Sequence, residues 1–211
     1  MNIKIMNEND IESNIRLFKA DFKQYPYEFL TSKWVLEKIP YIFNNDSEAY
    51  IKTKLELASL INVDSCSIIF VGSASTGFSL SPMKNFRKFN DQSDIDIAII
   101  SHYYFDIAWH TLRKINIYNL SREAILSIKA HREKYIYYGT IATDKILGLL
   151  PFGKEWVAAI ESLKRYPIFE NRDINFRLYR DHESLREYHI NNFKRNLSDS
   201  FGVQSEEIQL N

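Results

Sequence analysis

One stretch constrains the fold more than any other: the segment from Ile68 to Ser101, in which two apolar runs enclose a polar excursion. The first run, residues 68–71, is continuously apolar, which is typical of a buried strand. The second run begins at Asp94 and alternates aspartate with isoleucine. Because the side chains of a strand alternate between its two faces, we expect Asp94 and Asp96 on one face and the isoleucines in the core.

The polar residues of these two strands also indicate what kind of ligand the chain could bind. Two carboxylates about 7 Å apart on one strand face repel each other unless a cation lies between them. Oxygen ligands of this kind suit Mg²⁺, which keeps several waters and bridges to substrate phosphates. At the end of the first strand, Gly72 and Ser73 offer an unshielded backbone, N–H groups and a hydroxyl for a phosphate. The alternatives are a solvated edge strand for Asp94 and Asp96, and a turn with Ser73 as helix N-cap.

This arrangement resembles the nucleotidyltransferase superfamily of the DNA polymerase β type. In that family a strand ending in Gly-Ser or Gly-Gly is followed by a strand that carries Asp-hydrophobic-Asp-hydrophobic, and the matching residues here are Gly72, Ser73, Asp94 and Asp96. The resemblance covers this segment closely and residues 55–185 loosely. The segment between the two motifs is longer than in compact members of the family, which indicates an insertion beside the site.

The resemblance implies a bacterial, Mg²⁺-dependent enzyme. It would transfer a nucleoside monophosphate, AMP by the habit of the family, from a nucleoside triphosphate such as ATP to a hydroxyl acceptor. The acceptor would be RNA, protein or a nucleotide. Asp94 and Asp96 would bind the metal, and Gly72 and Ser73 would bind the triphosphate.

The resemblance also implies a third carboxylate on a later strand, as a metal ligand and general base. The later strand predicted here is residues 174–179, and its non-core face carries Asn175, Arg177 and Tyr179. Asp181 follows with the right parity and is the candidate catalytic residue, with capping of the next helix as the alternative. Without a third carboxylate, the chain would be a nucleotide sensor or a subunit of a complex, in a toxin–antitoxin or phage-defence setting.

Other polar side chains are candidates for phosphate contacts. Ser75 and Thr76 belong to the same turn as Ser73. Basic residues could contact the triphosphate or an acceptor, or could form a solvated basic surface. These residues are Lys84, Arg87 and Lys88 in the insertion, and Arg177 and Arg180 around the later strand.

Composition narrows the class of protein. The 211 residues carry no net charge, with 45% hydrophobic and 26% charged residues, which is typical of a soluble globular protein and does not suggest a broad grip on nucleic acid. The single cysteine, Cys66, and a first segment without a signal-peptide core predict a cytoplasmic protein without membrane spans. The five histidines lack zinc-ligand spacing. The sequence is compatible both with a protein partner and with a homo-oligomer.

The order of predicted elements indicates an α/β (α+β) fold, with a small mixed sheet flanked by helices and an N-terminal helical extension. We predict a helical segment at 1–61, a nucleotidyltransferase-like core at 62–198 and a frayed tail at 199–211. The helix before the first strand is expected to bury Leu55 and Leu60, among other apolar residues. Residues 139–149 are also predicted to be helical.

Overall fold

The computed structural model describes residues 8–81 and 84–196. It is an α+β fold, as predicted. The predicted tail at 199–211 lies outside the described residues. The helices are α1 (Glu8–Gln24), α2 (Tyr27–Thr31), α3 (Ser47–Ile61), α4 (Gly72–Thr76), α5 (His102–Lys114), α6 (Arg122–Ala130), α7 (Gly153–Leu163) and α8 (His182–Asn196). The strands are β1 (Ile68–Val71), β2 (Ile95–Ile100), β3 (Thr140–Ala142) and β4 (Ile174–Tyr179).

The four strands form one mixed sheet in the order β1-β2-β4-β3. Strand β1 runs antiparallel to β2, β2 runs parallel to β4, and β3 runs antiparallel to β4. In this register Asp96 lies between Val71 on one side and Asn175 on the other. The end of β1 therefore meets the start of β2, which brings the Gly72 turn beside Asp96.

The sheet separates two apolar cores, and β2 contributes to both. Ile95, Ile97 and Ile99 are fully buried in the core shared with α3, α5 and α7. Ala98 and Ile100 belong to the opposite core, which includes residues of α1, α2 and α8. Asp96 lies on the same face as Ala98, whereas Ile95 and Ile97 lie in the first core, so the predicted alternation is confirmed within β2. Asp94 precedes the strand, and its position on the Asp96 face stays a prediction.

Aromatic side chains bind the N-terminal helices to the second core. Phe18 of α1 is fully buried, and its ring centroid lies 5.3 Å from that of Trp34 and 5.8 Å from that of Phe78. Asp21 is also buried, but it accepts a hydrogen bond of 2.9 Å from Trp34 Nε1 and forms an ion pair of 2.6 Å with Lys33. Because this buried charge is paired, α1 can pack against the segment after α2 without an isolated carboxylate.

Two predictions about local structure are wrong. Residues 139–149 are not a helix, because Thr140–Ala142 pairs with β4 as an edge strand and Leu147–Leu149 is a short 3₁₀ turn. Leu55 and Leu60 were expected in the core but are 55% and 42% exposed. The pitch of α3 places Leu57 and Ile61 on its buried side and these two leucines on the other. No helix in the described ranges is long and apolar enough to cross a bilayer.

Candidate functional site

A cavity of about 330 Å³ opens between the sheet face that carries Asp96 and helix α8. This volume lies within the range of small-molecule sites, about 300–1,000 Å³. Six residues proposed from the sequence line it: Gly72, Ser73, Lys84, Arg87, Asp96 and Arg177. Asp94, Ser75 and Asp181 are not among the lining residues.

The turn after β1 lies close against the side chain of Asp96. Gly72 has a φ of +66°, in the left-handed region that favours glycine. A Cβ atom at this position would lie 2.9 Å from Asp96 Oδ2. The absence of a side chain therefore lets the β1 backbone approach the carboxylate. Since α4 has only five residues, the turn offers N–H groups and the Ser73 hydroxyl to a ligand rather than a long helix dipole.

The two aspartates differ in exposure. Asp94 precedes β2 and is exposed, whereas Asp96 is half-buried. Burial raises the pKa of Asp96, and the Asp94 charge raises it further, while the Arg177 charge and a hydrogen bond from Asn175 act in the opposite direction. A carboxylate that is costly to ionise in the free protein favours a bound cation.

Asp94 and Asp96 are the two carboxylates that could hold one Mg²⁺ ion. Mg²⁺ is commonly held by one or two carboxylates, with waters and substrate phosphates as its other ligands. Asp94 directly precedes β2, two residues before Asp96, and its exposure leaves it accessible to water. No group of three or more histidine, cysteine or acidic side chains in residues 8–81 and 84–196 could hold a metal.

Asp181 lies far from this pair. It is six residues beyond Asn175, the β4 partner of Asp96, which corresponds to about 20 Å along an extended chain. Its Oδ1 accepts hydrogen bonds of 2.7 Å from both the N–H and the hydroxyl of Ser184, so it caps α8. Partial burial raises the pKa of Asp181, but these bonds and the Arg180 guanidinium outweigh it and bring the pKa to about 2. The structure thus puts Asp181 in the capping role, away from the two other aspartates.

The face of β4 beside Asp96 carries no carboxylate. Asn175 lies opposite Asp96, and Arg177 follows two residues later on the same face. The Arg177 guanidinium donates a hydrogen bond of 3.0 Å from Nη1 to Tyr188 Oη and lines the cavity. The position next to Asp96 is therefore occupied by an amide and a cation.

Helix α8 contributes residues that sequence reasoning did not select. Tyr188, His189 and Asn192 line the cavity from the side opposite the sheet. The Nε2 atom of His189 is buried and has no hydrogen-bond partner within the described ranges. Burial and the neighbouring Arg177 charge lower the pKa of His189 to about 4, so the ring is neutral at pH 7. A local pattern could not have shown this, because the residues meet Asp96 only through tertiary packing.

The remaining candidates lie in other surroundings. Ser75 is buried inside α4, where its Oγ has no hydrogen-bond partner within the described residues, and Thr76 donates a hydrogen bond to the Phe78 carbonyl. Lys88 forms an ion pair of 2.9 Å with Glu12 of α1. Arg180 pairs with Asp181 over 2.9 Å. These four residues are not brought to the cavity.

The insertion after α4 folds back on itself and so reaches the cavity. Ser79 N–H donates to the Arg87 carbonyl over 2.8 Å, and Phe89 N–H donates to the Gly77 carbonyl over 2.9 Å. Arg172, from the segment before β4, donates a hydrogen bond of 3.1 Å to the Ser93 carbonyl. These three hydrogen bonds hold the loop in a position where Lys84 and Arg87 line the cavity.

Comparison of the chain with protein-family models, with curated proteins and with solved structures gives no match. The site is therefore interpreted from its own geometry and chemistry.

Proposed function

We propose that the chain is a Mg²⁺-dependent nucleotidyltransferase, which transfers a nucleoside monophosphate from a nucleoside triphosphate to a hydroxyl acceptor. The observation that carries this proposal is the fit between Gly72 and Asp96, where a missing side chain leaves a backbone turn against a metal-binding carboxylate. The turn and the carboxylate share one cavity of about 330 Å³. ATP is the expected donor, and RNA, protein or a nucleotide is the expected acceptor.

Each wall of the cavity has a role in this reaction. The N–H groups and hydroxyl of the Gly72–Ser73 turn bind the triphosphate. Lys84 and Arg87 neutralise its charge from the loop side. Asp94 and Asp96 would hold Mg²⁺, which when bound offsets negative charge on the transferring and leaving oxygens. The acceptor oxygen bonds to the α-phosphorus, the bond from that phosphorus to the bridging oxygen breaks so that pyrophosphate leaves, and the proton of the acceptor passes to solvent water.

The proposed substrate supports the cytoplasm as the location, since nucleoside triphosphates are present there. Cys66 is a free, exposed thiol, which also suits a reducing compartment. A protein partner or a second copy of the chain could complete the acceptor site.

A second candidate function is a nucleotide sensor or a subunit of a larger complex. The observation that favours it is the occupation of β4 positions 175 and 177 by asparagine and arginine, beside Asp96. A neutral amide and a cation cannot serve as the anionic metal ligand and general base that two-metal transfer uses. Under this hypothesis the pocket binds nucleotide and reports the occupancy to a partner, in a setting such as toxin–antitoxin or phage defence.

Label transfer distinguishes these functions. The purified protein is incubated with each nucleoside triphosphate labelled at the α-phosphate, with Mg²⁺ and with RNA or cell lysate as acceptor. The Asp94→Ala/Asp96→Ala variant is the test, and Asp144→Ala, an exposed aspartate outside the cavity, is the control. Transfer that the double variant loses and the control keeps supports the enzyme. Nucleotide binding without transfer supports the sensor, and neither transfer nor binding contradicts both.

A further inference from the structure

The sheet leaves a space for Arg177. Its neighbours in register are Ala98 on β2 and Ala142 on β3, the smallest side chains with a Cβ. The guanidinium can therefore lie across the sheet face between its two neighbouring strands. It lines the cavity, two residues further along the strands than Asp96.

The contacts of Arg177 orient its charge without neutralising it. Its Cζ lies 5.1 Å from the ring centroid of Tyr188 and 5.7 Å from that of Tyr135, and Nη1 donates to Tyr188 Oη. Within residues 8–81 and 84–196, no carboxylate oxygen lies within salt-bridge distance of the guanidinium. Burial lowers the pKa of Arg177, but the oxygens of Tyr188, Tyr179 and Asp96 outweigh it, so the side chain stays charged.

Arg177 is half-buried, and within the described residues its one hydrogen-bond acceptor is a neutral hydroxyl and it forms no ion pair. Its other N–H donors therefore remain for a ligand in the cavity, where an anion would pair with the guanidinium. The other charged side chains of the cavity point to an anion, since Lys84 and Arg87 are basic and Asp96 is the single acidic residue among those that line it.

His189 provides a second, independent sign of a ligand. Its buried Nε2 atom has no partner in the described part of the chain, although buried polar atoms are normally hydrogen-bonded. His189 lines the same cavity as Arg177, from α8. One ligand in this position would satisfy the guanidinium and the imidazole together.

We infer that Arg177 binds a phosphate group of the nucleotide directly, so that the pocket holds a polyphosphate without Mg²⁺. The inference rests on the proposed function in that it uses the same pocket and the same ligand. A guanidinium presents a planar fork of donors that matches two phosphate oxygens, and such pairs are among the stronger hydrogen bonds in proteins. Mg²⁺ would then be needed for transfer but not for binding.

The experiment measures binding by calorimetry in the presence of EDTA and, separately, of Mg²⁺. The probes are inorganic tripolyphosphate, ATP and adenosine, which lacks phosphate. The test variant is Arg177→Met, which keeps an unbranched side chain and removes the charge. The matched control is Arg186→Met, because Arg186 is a partly buried arginine on α8 that bonds Ser32 Oγ and does not line the cavity.

We expect tripolyphosphate and ATP to bind in EDTA and adenosine to bind at least tenfold more weakly. Arg177→Met should lose at least tenfold in affinity, since a charge-assisted hydrogen-bond pair is removed, and Arg186→Met should bind like the wild type. The unliganded Arg177→Met variant should unfold at a somewhat lower temperature than the wild type, because it loses the hydrogen bond to Tyr188 and the contact with its ring, and a cooperative unfolding transition would show that it is folded. If Arg177→Met does not fold, Arg177→Lys serves instead and should bind several-fold more weakly.

Two results would overturn the inference: binding that requires Mg²⁺, or equal affinity in the wild type and the Arg177 variants. Its failure is separable from failure of the proposed function. Mg²⁺-dependent binding that ignores Arg177, with label transfer intact, contradicts the inference and leaves the enzyme standing. Binding in EDTA that depends on Arg177, without label transfer, supports the inference and contradicts the proposed enzyme.

Discussion

A Cβ atom on Gly72 would lie 2.9 Å from Asp96 Oδ2, so the backbone at the end of β1 and the carboxylate at the start of β2 are in mutual contact range. Two strands that pair antiparallel with Val71 opposite Asp96 produce this proximity. It puts the turn proposed to bind phosphate beside the carboxylate proposed to hold a metal, and substitution of Gly72 tests this proximity directly.

Gly72→Ala should destabilise the protein and abolish nucleotide transfer. The φ of +66° is unfavourable for alanine by about 1–2 kcal/mol, and the new methyl group would displace Asp96. Gly148→Ala is the matched control, because a Cβ there meets nothing within 4 Å. Urea unfolding and label transfer measure the two effects. Equal behaviour of the two variants would show that the close approach at Gly72 is not needed.

Asp96→Asn should separate function from stability. Burial raises the pKa of Asp96, so the ionised group opposes folding at neutral pH, and the neutral amide should leave the unfolding free energy unchanged or higher. Transfer should fall by about 100-fold or more, because a metal ligand contributes several kcal/mol to the transition state. Asp94→Asn should lose transfer with little change in stability, since Asp94 is exposed. Transfer that survives Asp96→Asn would remove this residue from the site.

Asp181→Ala should cost stability and spare transfer. The residue caps α8 through Ser184, and loss of a helix N-cap costs about 1 kcal/mol. Asp46→Ala is the matched control, because Asp46 caps α3 by accepting a hydrogen bond of 2.9 Å from the Ala49 N–H. Loss of transfer in Asp181→Ala but not in Asp46→Ala would instead assign Asp181 to the reaction.

Stability should fall as the pH drops from 7 towards 4, partly because of His189. Burial and the Arg177 charge lower the pKa of His189 from 6.5 to about 4, so the unfolded chain binds the proton first over this interval. The linked loss reaches about 3 kcal/mol at pH 4, from about 1.4 kcal/mol per pH unit. His189→Gln should flatten the pH profile of the unfolding free energy, whereas substitution of exposed His182 on the same helix should not. An unchanged profile in His189→Gln would mean that the ring is solvated.

Local patterns in the sequence predicted most of the elements near the site. The apolar run at β1, the alternation of β2 and the alternation of β4 each span enough residues to show their period. Strand β3 was missed, because Thr140–Ala142 is too short to show alternation and becomes a strand only by pairing with β4. Leu55 is apolar but lies outside the core, because the helical pitch of α3 places it on the exposed side and directs Leu57 inward.

The candidate site likewise contains residues that the sequence could indicate and residues that only the fold brings together. Gly72 and Asp96 are neighbours across the β1–β2 strand pair, with Ser73 next to Gly72 in the same turn. The resemblance to a nucleotidyltransferase motif grouped these residues, and strand parity agreed with it. The α8 wall, with His189, is more than ninety residues from Asp96 along the chain and meets it only in the folded structure. Asp181 followed the parity of β4, but parity carries no information on distance along the strand.

The most direct measurement is a crystal structure with Mg²⁺ and a nucleoside triphosphate analogue whose bridge between the α- and β-phosphates cannot be cleaved. The proposed site predicts the phosphates between Ser73 and Arg177, with one metal ion on Asp94 and Asp96. The analogue bound at another surface, or a metal ion on other side chains with this cavity empty, would contradict it.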